Sequence, residues 1–418
     1  MTERRLRVLF ISQQFSPEMG ALPNRLYPFT RHLSRQGHEV FVATGMPNYP
    51  KGKVFRDYRG MRFMREQRDG ATVLRTAYYT TPRNVSKRSQ LLSYLSFLPA
   101  VLHSGWRAGR VDAVFVTSPP IFPALPAMVL AKLRGAKLLV DLRDLWPDEV
   151  VAVGAAREGS VPIRVLRLIE RLMYRSADVV TCTTPAFAET VATRGVSADK
   201  RRLLPNGADV ELFRPLPREN EIGAQYDFGD RLVVMYSGLL GIKHGLETVV
   251  EAAASFRDRE DVVFFLRGEG PRRAALEAHI RELGLTNVLL GGERPIEELP
   301  PLLARADVCV TNLLPDAYLE KIVSVKVFEY LACGRAVVGG LRGEGARILE
   351  ESGGGIAVEP GDGRAMAEAI RTLLDDPERR AQMGEAGRRY VVEHHSRGAI
   401  AGRLEELLAE VTAGHNGA

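Results

Sequence analysis

An α/β fold of two doubly wound domains facing a cleft is what this sequence predicts, on three observations. Strand and helix signals alternate through the first half, the alternation restarts at Leu232, and a stretch with Pro205, Asn206, Gly207, Pro215 and Pro217 separates the two. Such alternation gives parallel sheets with helices on both faces. Residues 5–12 (RLRVLFIS) read as the first strand. A loop over 13–20 follows, then a helix over 23–36 whose Leu26, Phe29 and Leu33 share one face. Gly37 ends that helix and 39–43 is the next strand. Residues 111–117 and 137–140 are buried strands with an apolar helix between them, and 179–183 is another strand. In the second half, strands at 232–237, 262–266, 288–290, 308–311, 337–339 and 356–358 accompany helices at 245–256 and 271–283. The stretch 385–411 reads as helical and amphipathic. The expected domains are 1–210 and 211–384, with 385–418 packing back on the first. Ligands of such sheets bind beyond the carboxyl ends of the strands.

A length of 418 residues suits two or three domains. Hydrophobic content of 45% and charged content of 26% exclude a disordered or membrane-spanning class. Cys182, Cys309 and Cys333 are far apart and lack ligand spacing, which fits a reducing cytoplasm and no disulfide framework. Residues 8–11 are too short an apolar run for a signal peptide, and no run reaches membrane-spanning length. The net charge of +6 is uneven, because residues 51–110 carry thirteen Lys/Arg against three Asp/Glu. Inside that segment the apolar run 91–102 is preceded by Arg83, Lys87 and Arg88 and followed by Trp106, Arg107 and Arg110. Two readings stand side by side: a segment that meets an anionic membrane surface, or a core helix with charged ends. No nucleic-acid-binding motif is present.

The most informative stretch is 324–338, SVKVFEYLACGRAVV, read as a loop, a short helix and a return strand. Lys326 and Glu329 are three apart and share a face. A helix N-terminus with a cation holds phosphate, and a carboxylate one turn on accepts sugar hydroxyls. An isolated pair of this kind is ordinarily solvated surface; here the rest of the chain supports a pocket for a nucleotide sugar. Gly238 and Gly241 follow a strand and precede a helix, so their amides are candidates to face phosphate, with Lys243 beside them. Gly268 and Gly270 end the next strand and permit close approach of base or phosphate. Ser324 joins these donor-binding candidates. In DLRDLWPD (141–148), Asp144 is a candidate for accepting a hydroxyl; the alternative is a structural ion pair of Asp141 with Arg143. Arg25 reads as cleft-facing or as plain surface. His38 and Cys333 read as structural.

Seven segments in order carry a resemblance that spans nearly the whole chain. They are 15–45, PNYPKGKVF (47–55), DLRDLWPD, LPNGADVELFRP (204–215), YSGLLGIKHGLETVVEAA (236–253), LRGEGP (266–271) and KVFEYLACGRAVV (326–338). The chain resembles a bacterial GT-B glycosyltransferase of family four, and within it the O-antigen and capsule branch that includes N-acetyl-fucosamine transferases. The resemblance implies two Rossmann-like domains and a nucleotide-sugar donor, with UDP the expected nucleotide. The basic apolar segment 83–110 points to a lipid-linked saccharide acceptor, and the resemblance implies a retaining, metal-independent transfer with no cofactor. It places the enzyme in the cytoplasm, peripheral to the inner membrane. Gly20 matches the family's loop that approaches donor phosphate and acceptor. Lys243, Lys326, Glu329 and Asp144 are the expected catalytic set.

The chain departs from the family pattern at two positions. Lys321 stands where the first glutamate of the Glu-x7-Glu motif is expected, with Glu320 one residue off. Leu239 stands where the family has arginine, and the family's lysine aligns with Lys243 or His244. These departures keep a non-catalytic nucleotide-sugar-binding protein in view, and a nucleotide-sugar epimerase on the same fold is a further alternative.

Overall fold

The computed structural model describes residues 5–49, 51–82, 86–152, 154 and 156–413. By its internal contacts the chain divides into Met1–Pro205 with Ile400–Ala418, and Asn206–Ala399.

The first unit holds strands β1 (Arg7–Ile11), β2 (Glu39–Gly45), β3 (Phe63–Arg68), β4 (Ala71–Thr76), β5 (Ala113–Ser118), β6 (Lys137–Leu142), β7 (Val179–Cys182) and β8 (Arg201–Leu203). Its helices are α1 (Ala21–Arg35), α2 (Lys87–Trp106), α3 (Ala124–Arg134), α4 (Asp148–Ala152), α5 (Val161–Ser176) and α6 (Pro185–Thr193). The sheet order is β3-β4-β2-β1-β5-β6-β7-β8, parallel except for β3 against β4. Strands buried on both faces read as continuous apolar runs, as AVFVTS of β5 does. Alternate residues serve opposite layers: Val8, Phe10, Val40, Val42 and Phe115 pack with Leu26, Phe29 and Leu33 of α1. Leu9 and Ala43 face the other way. A Cβ added to Gly105 of α2 would sit 2.5 Å from Leu130 of α3 and 3.6 Å from Leu9. The chain order reverses between β1 and β5, which opens a crevice at their carboxyl ends.

The second unit holds β9 (Leu232–Ser237), β10 (Val262–Arg267), β11 (Val288–Gly291), β12 (Val308–Asn312), β13 (Ala336–Gly340) and β14 (Gly355–Val358). Its helices are α7 (Glu247–Ala254), α8 (Arg273–Glu282), α9 (Leu299–Leu303), α10 (Val325–Ala332), α11 (Gly343–Ser352), α12 (Gly363–Asp375) and α13 (Pro377–His394). The all-parallel order β11-β10-β9-β12-β13-β14 reverses between β9 and β12. The final helix, α14 (Arg397–Ala413), puts Ile400, Leu404 and Leu408 into the first unit's core.

The helical stretch 385–411 takes in the end of α13 and most of α14, and the expected domain boundary at 385 is corrected. The break falls at His395 and Ser396, where Ser396 pairs with Ala208 and its hydroxyl accepts from the Ala399 amide at 3.2 Å. The boundary at 385 therefore cuts through α13, which packs within the second unit: a Cβ on its Gly384 would lie 2.2 Å from the Gly334 carbonyl oxygen. Once in the first unit, α14 is held by Glu405, whose carboxylate meets His32 Nε2 at 2.7 Å and His38 Nε2 at 3.1 Å. His38 Nδ1 accepts from the Leu6 amide at 3.1 Å, so the structural reading of His38 stands.

The basic segment 51–110 also contains the β3–β4 hairpin, turned at Asp69 (φ 46°) and Gly70 (φ 86°), the left-handed pair a two-residue turn requires. Arg75 within it is fully buried and pairs with Glu66 at 2.7 Å. Part of the segment's positive charge is thus internal.

Candidate active site

The donor candidates gather at the carboxyl ends of β9, β10 and β12, the edge where the strand order reverses. Helix α10 starts at Ser324, an extended residue whose side chain caps nothing. The helix buries Lys326 and Tyr330 against β9, while buried Phe328 stacks on His395 with ring centroids 4.5 Å apart. The Tyr330 hydroxyl accepts from the Ser237 amide at 2.7 Å and donates to the Ser237 carbonyl at 2.9 Å, pinning α10 to the strand end. Lys326 Nζ donates to the Tyr236 hydroxyl at 2.6 Å and lies 4.2 Å from the centroid of that ring. The Tyr236 hydroxyl in turn donates a hydrogen bond to the Leu239 carbonyl at 2.8 Å. Among the described residues Lys326 has no carboxylate at ion-pair distance. Burial, reinforced by Lys243, pulls its ammonium down to about 7, and Glu329 opposes this from farther away.

Glu329, one turn on, is half-buried, and its carboxylate has no hydrogen-bond donor among the described residues. Burial raises its pKa, while Arg397 and Lys326 pull the other way. His244 is buried against Tyr236, with ring centroids 6.0 Å apart. Burial and the two lysines depress it to about 2, so it is neutral and supplies no charge. Of the two residues that align with the family's lysine, only Lys243 is a cation here. The turn that carries it is held by Asn312, whose amide donates to the His244 and Gly245 carbonyls at 2.9 and 3.1 Å. The Leu314 amide donates to the Lys243 carbonyl at 2.9 Å.

The glycines differ in what they face. The Gly238 amide is taken by the Arg267 carbonyl at 3.0 Å and the Leu240 amide by Glu269 at 2.9 Å, whereas Leu239 and Gly241 have no main-chain acceptor among the described residues. A Cβ on Gly238 (φ 151°) would meet Lys326 Nζ at 2.9 Å. At Gly268 (φ 147°) it would lie 1.8 Å from the Gly238 oxygen, and at Gly270 (φ 159°) 2.4 Å from the Leu240 oxygen. The close approach these two glycines permit is therefore that of the 238–240 backbone, which sets the loop's position. Gly268→Ala should cost about 1–3 kcal/mol from the forced shift, visible as a lower urea midpoint. An unchanged midpoint and unchanged donor affinity would contradict this account of the loop. Arg267, buried at the end of β10, donates to Ser237 Oγ at 3.0 Å and to the Arg294 carbonyl at 2.8 Å.

In the first unit, Asp141 on β6 is fully buried and accepts four hydrogen bonds. Arg25 supplies two, at 2.8 and 2.7 Å, Thr117 one at 3.0 Å and Thr181 one at 2.8 Å. Burial alone would raise this carboxyl; Arg25 and the hydroxyls hold it below its usual range. Arg25 also donates to the Leu204 and Pro205 carbonyls at 2.8 and 3.0 Å. So the alternative of an Asp141 ion pair with Arg143 is corrected: the partner is Arg25, which is no surface residue. Arg143 instead donates to Thr117 Oγ1 at 3.0 Å and to the Pro119 carbonyl at 2.6 Å. Asp144 is half-buried beside it, just past β6. Gly20 (φ 150°) opens α1, and a Cβ there would meet the Tyr49 ring at 3.2 Å. The preceding loop is stapled by buried Glu18, which accepts from the amides of Phe15, Asn48 and Tyr49 at 3.0, 2.9 and 2.9 Å.

Of the membrane candidates, Arg83 lies outside the described residues. Lys87 opens α2, Arg88 is exposed on its first turn, and Trp106 is exposed on its last. Arg107 stacks on Phe63, 4.5 Å from the ring centroid. Within 91–102, Phe97 and Val101 are buried while Leu91, Leu92 and Leu95 are exposed. No helix among the described residues is long and apolar enough to cross a membrane. A cavity of about 410 Å³ lies at the opposite edge of the second sheet, lined by Arg335, Arg380 and Arg388 among others. Its guanidinium groups already donate to main-chain carbonyls.

Two family models match, a glycosyl transferase 4-like domain over residues 20–207 and glycosyl transferases group 1 over 218–390. Between them they take in most of the chain. The chain belongs to the family-four glycosyltransferases. It is 29% identical to the putative colanic acid biosynthesis glycosyl transferase WcaI of Escherichia coli K12, with 88% of this chain and 92% of that one covered. It is 27% identical to a GDP-mannose-dependent phosphatidylinositol monomannoside mannosyltransferase of Mycolicibacterium smegmatis, covering 96% and 98%. In structure it is similar to Anabaena Alr3699/HepE, solved in complex with UDP. The TM-score is 0.74 at 18% identity, covering 97% of this chain and 100% of that one. That likeness shows the GT-B fold of two Rossmann-like α/β domains.

This glycosyltransferase is a nucleotide-sugar-dependent enzyme. Its departure from the Glu-x7-Glu pattern has a structural setting. Lys321 closes the 3₁₀ turn Leu319–Lys321, and Glu320 is turned toward Arg342 at 3.5 Å. Tyr236, Tyr330, Arg267 and Asn312 escaped the sequence reading. The signal they left is a polar tip at the end of an apolar strand or in a buried helix face, which needs a partner when buried.

Proposed function

We propose that this glycosyltransferase moves a sugar, an N-acetylated deoxyhexosamine or a hexose, from a nucleoside diphosphate donor to a lipid-linked saccharide with retention at the anomeric carbon. UDP is the first nucleotide to test and GDP the second. The product belongs to a cell-surface polysaccharide, and the work is done at the cytoplasmic face of the membrane. One observation carries the donor reading: a buried ammonium without a carboxylate partner, beside a second lysine, with an unpartnered carboxylate one turn on. Lys243 is close enough to repel a charge on Lys326; two lysines without an anion are suited to a diphosphate, and Glu329 to the hydroxyls of a sugar ring. The names of the two relatives support a polysaccharide product and a lipid acceptor.

In the proposed front-face step, the bond from the anomeric carbon to the diphosphate oxygen breaks. The bond to the acceptor oxygen forms on the same side, and the acceptor's proton passes to the departing diphosphate. Lys326, Lys243 and the open amides of Leu239 and Gly241 stabilise the charge growing there. Asp144 is proposed to hold an acceptor or sugar hydroxyl, and Ser324 and Gly20 to border the donor. No cofactor is required, and the cations are lysines in place of a divalent metal. Among the described residues no group of three or more His, Cys, Asp or Glu is placed to hold a metal ion.

Transfer from UDP-N-acetyl sugars to a polyprenyl-diphosphate-linked saccharide, followed by product mass, tests the reading. Turnover in EDTA should equal turnover in Mg²⁺. Activity abolished by EDTA and restored by Mn²⁺ would contradict metal independence, and Glu329→Ala at the wild-type rate would remove that residue from the site.

A further inference from the structure

Helices α2, α3 and α5 form one layer of the first unit. Each connects or precedes parallel strands running in the same direction across the sheet, and right-handed crossovers put such helices on one face. That layer carries more than half of the exposed large apolar side chains among the described residues: Leu91, Leu92, Leu95 and Trp106 on α2, Val129 and Leu133 on α3, and four more on α5. Helix α5 is the clearest case because it has two apolar faces. Ile163, Leu166, Ile169 and Met173 are buried against the unit. Val161, Val165, Leu168 and Leu172 lie on the opposite side at spacings of four, three and four, hence in one line along the helix. They are 72%, 49%, 55% and 41% exposed. Apolar residues scattered singly over a surface need no explanation; a line of four over three turns does.

The charges on this layer have one sign. Helices α2 and α3 contain no acidic residue. Helix α5 contains only Glu170, which is buried and bound to Arg194 and Tyr174. Exposed Arg164, Arg171 and Arg175 follow one edge of the α5 line, with Arg88 and Lys132 on the neighbouring helices. The acidic groups bordering α5 are already paired: half-buried Asp148 meets Arg167 at 2.7 Å and also binds Arg194, and Glu158, which precedes α5, meets Arg167 at 3.3 Å.

The geometry points to an interfacial membrane-docking face made of all three helices. In it α5 inserts its outer apolar line among the acyl chains of an anionic bilayer, and its arginines meet the lipid phosphates. Apolar insertion combined with basic flanks is what such a surface binds. A protein partner would not require every exposed charge of the layer to be positive. The inference deepens the proposal of a membrane-borne acceptor and rests on it, while moving the main contact from the 83–110 segment to α5.

Flotation of the full chain with vesicles of phosphatidylcholine and phosphatidylglycerol, and with phosphatidylcholine alone, tests it. Wild type should float with the anionic vesicles and far less with the neutral ones. The triple variant Val165→Glu, Leu168→Glu, Leu172→Glu should lose binding about tenfold or more. Arg164→Ser, Arg171→Ser, Arg175→Ser should weaken binding and flatten its salt dependence. UDP affinity and the melting curve serve as fold controls, since all substituted positions are exposed. If wild type floats and the α5 variants float equally well, the three-helix face is wrong and the α2 segment alone remains. If wild type never floats, this face and the membrane-borne acceptor both fall. If the α5 variants turn a dimer into a monomer in light scattering without vesicle binding, the face is a self-association surface and the inference is overturned.

Discussion

Replacing Lys326 with methionine should lower kcat/KM for the donor about 30- to 1,000-fold, a loss of about 2–4 kcal/mol of transition-state stabilisation. The substitution keeps a long, buried, apolar stem. Tyr236 retains its bond to the Leu239 carbonyl, so the fold should survive. What disappears is the charge that meets the departing diphosphate. The same residue sets a pH dependence. Burial and the nearby Lys243 depress the amine from the ordinary lysine value of 10.5 to about 7. A neutral Lys326 therefore contributes stability in the free protein above the unfolded value. That contribution is lost as pH falls through about 7, where the buried charge must be carried. A bound diphosphate reverses the preference and favours the ammonium. Donor affinity should therefore weaken as pH rises from 7 to 9, and the trend should vanish in Lys326→Met. A variant with wild-type kcat/KM, or one with an unaltered pH trend, would remove Lys326 from the chemistry.

The second large effect is on stability. Arg25→Met should destabilise the protein by about 3–5 kcal/mol, read from urea unfolding, because it leaves the Asp141 carboxylate buried and uncompensated. Arg25 is 7% exposed and Asp141 fully buried. Adding Asp141→Leu to Arg25→Met should restore much of the loss, since an apolar pair of similar volume is often neutral where a broken ion pair is not. Burial opposes the ionisation of Asp141, but Arg25, Thr181 and Thr117 hold its folded pKa below the unfolded one. Its contribution is therefore present above the ordinary carboxylate range and is lost as pH falls through the folded value. In Arg25→Met that acid sensitivity should be reduced. A single variant as stable as wild type would show that the pair is no internal latch.

The two sheets were legible because strands buried on both faces leave unbroken apolar runs. Residues 232–237 were read to the residue as β9. The β3–β4 hairpin was not, because its period-2 pattern is filled with arginines and Arg75 is buried by an ion pair that no local pattern announces. The terminal stretch was legible as helical, but the place of the break between α13 and α14 was not, because both helices carry polar residues along one side and no Pro or Gly marks His395 and Ser396. In the site, Lys326 and Glu329 were legible from their spacing on one helix. Their setting was not, since Tyr236 stands 90 residues from Lys326 in sequence. Likewise Asp141 and Arg25 are 116 residues apart. The neighbouring Arg143 looked like the natural partner of Asp141 only because sequence proximity was all there was to judge by.

The most direct test is calorimetric titration of UDP into the protein at pH 8 in two buffers of different ionisation enthalpy. The account predicts uptake of close to one proton per UDP bound in wild type. It predicts none in Lys326→Met, and weaker binding with the uptake retained in Glu329→Ala. Binding without proton uptake, or equal uptake in wild type and Lys326→Met, would contradict the claim that the buried lysine receives the donor's diphosphate.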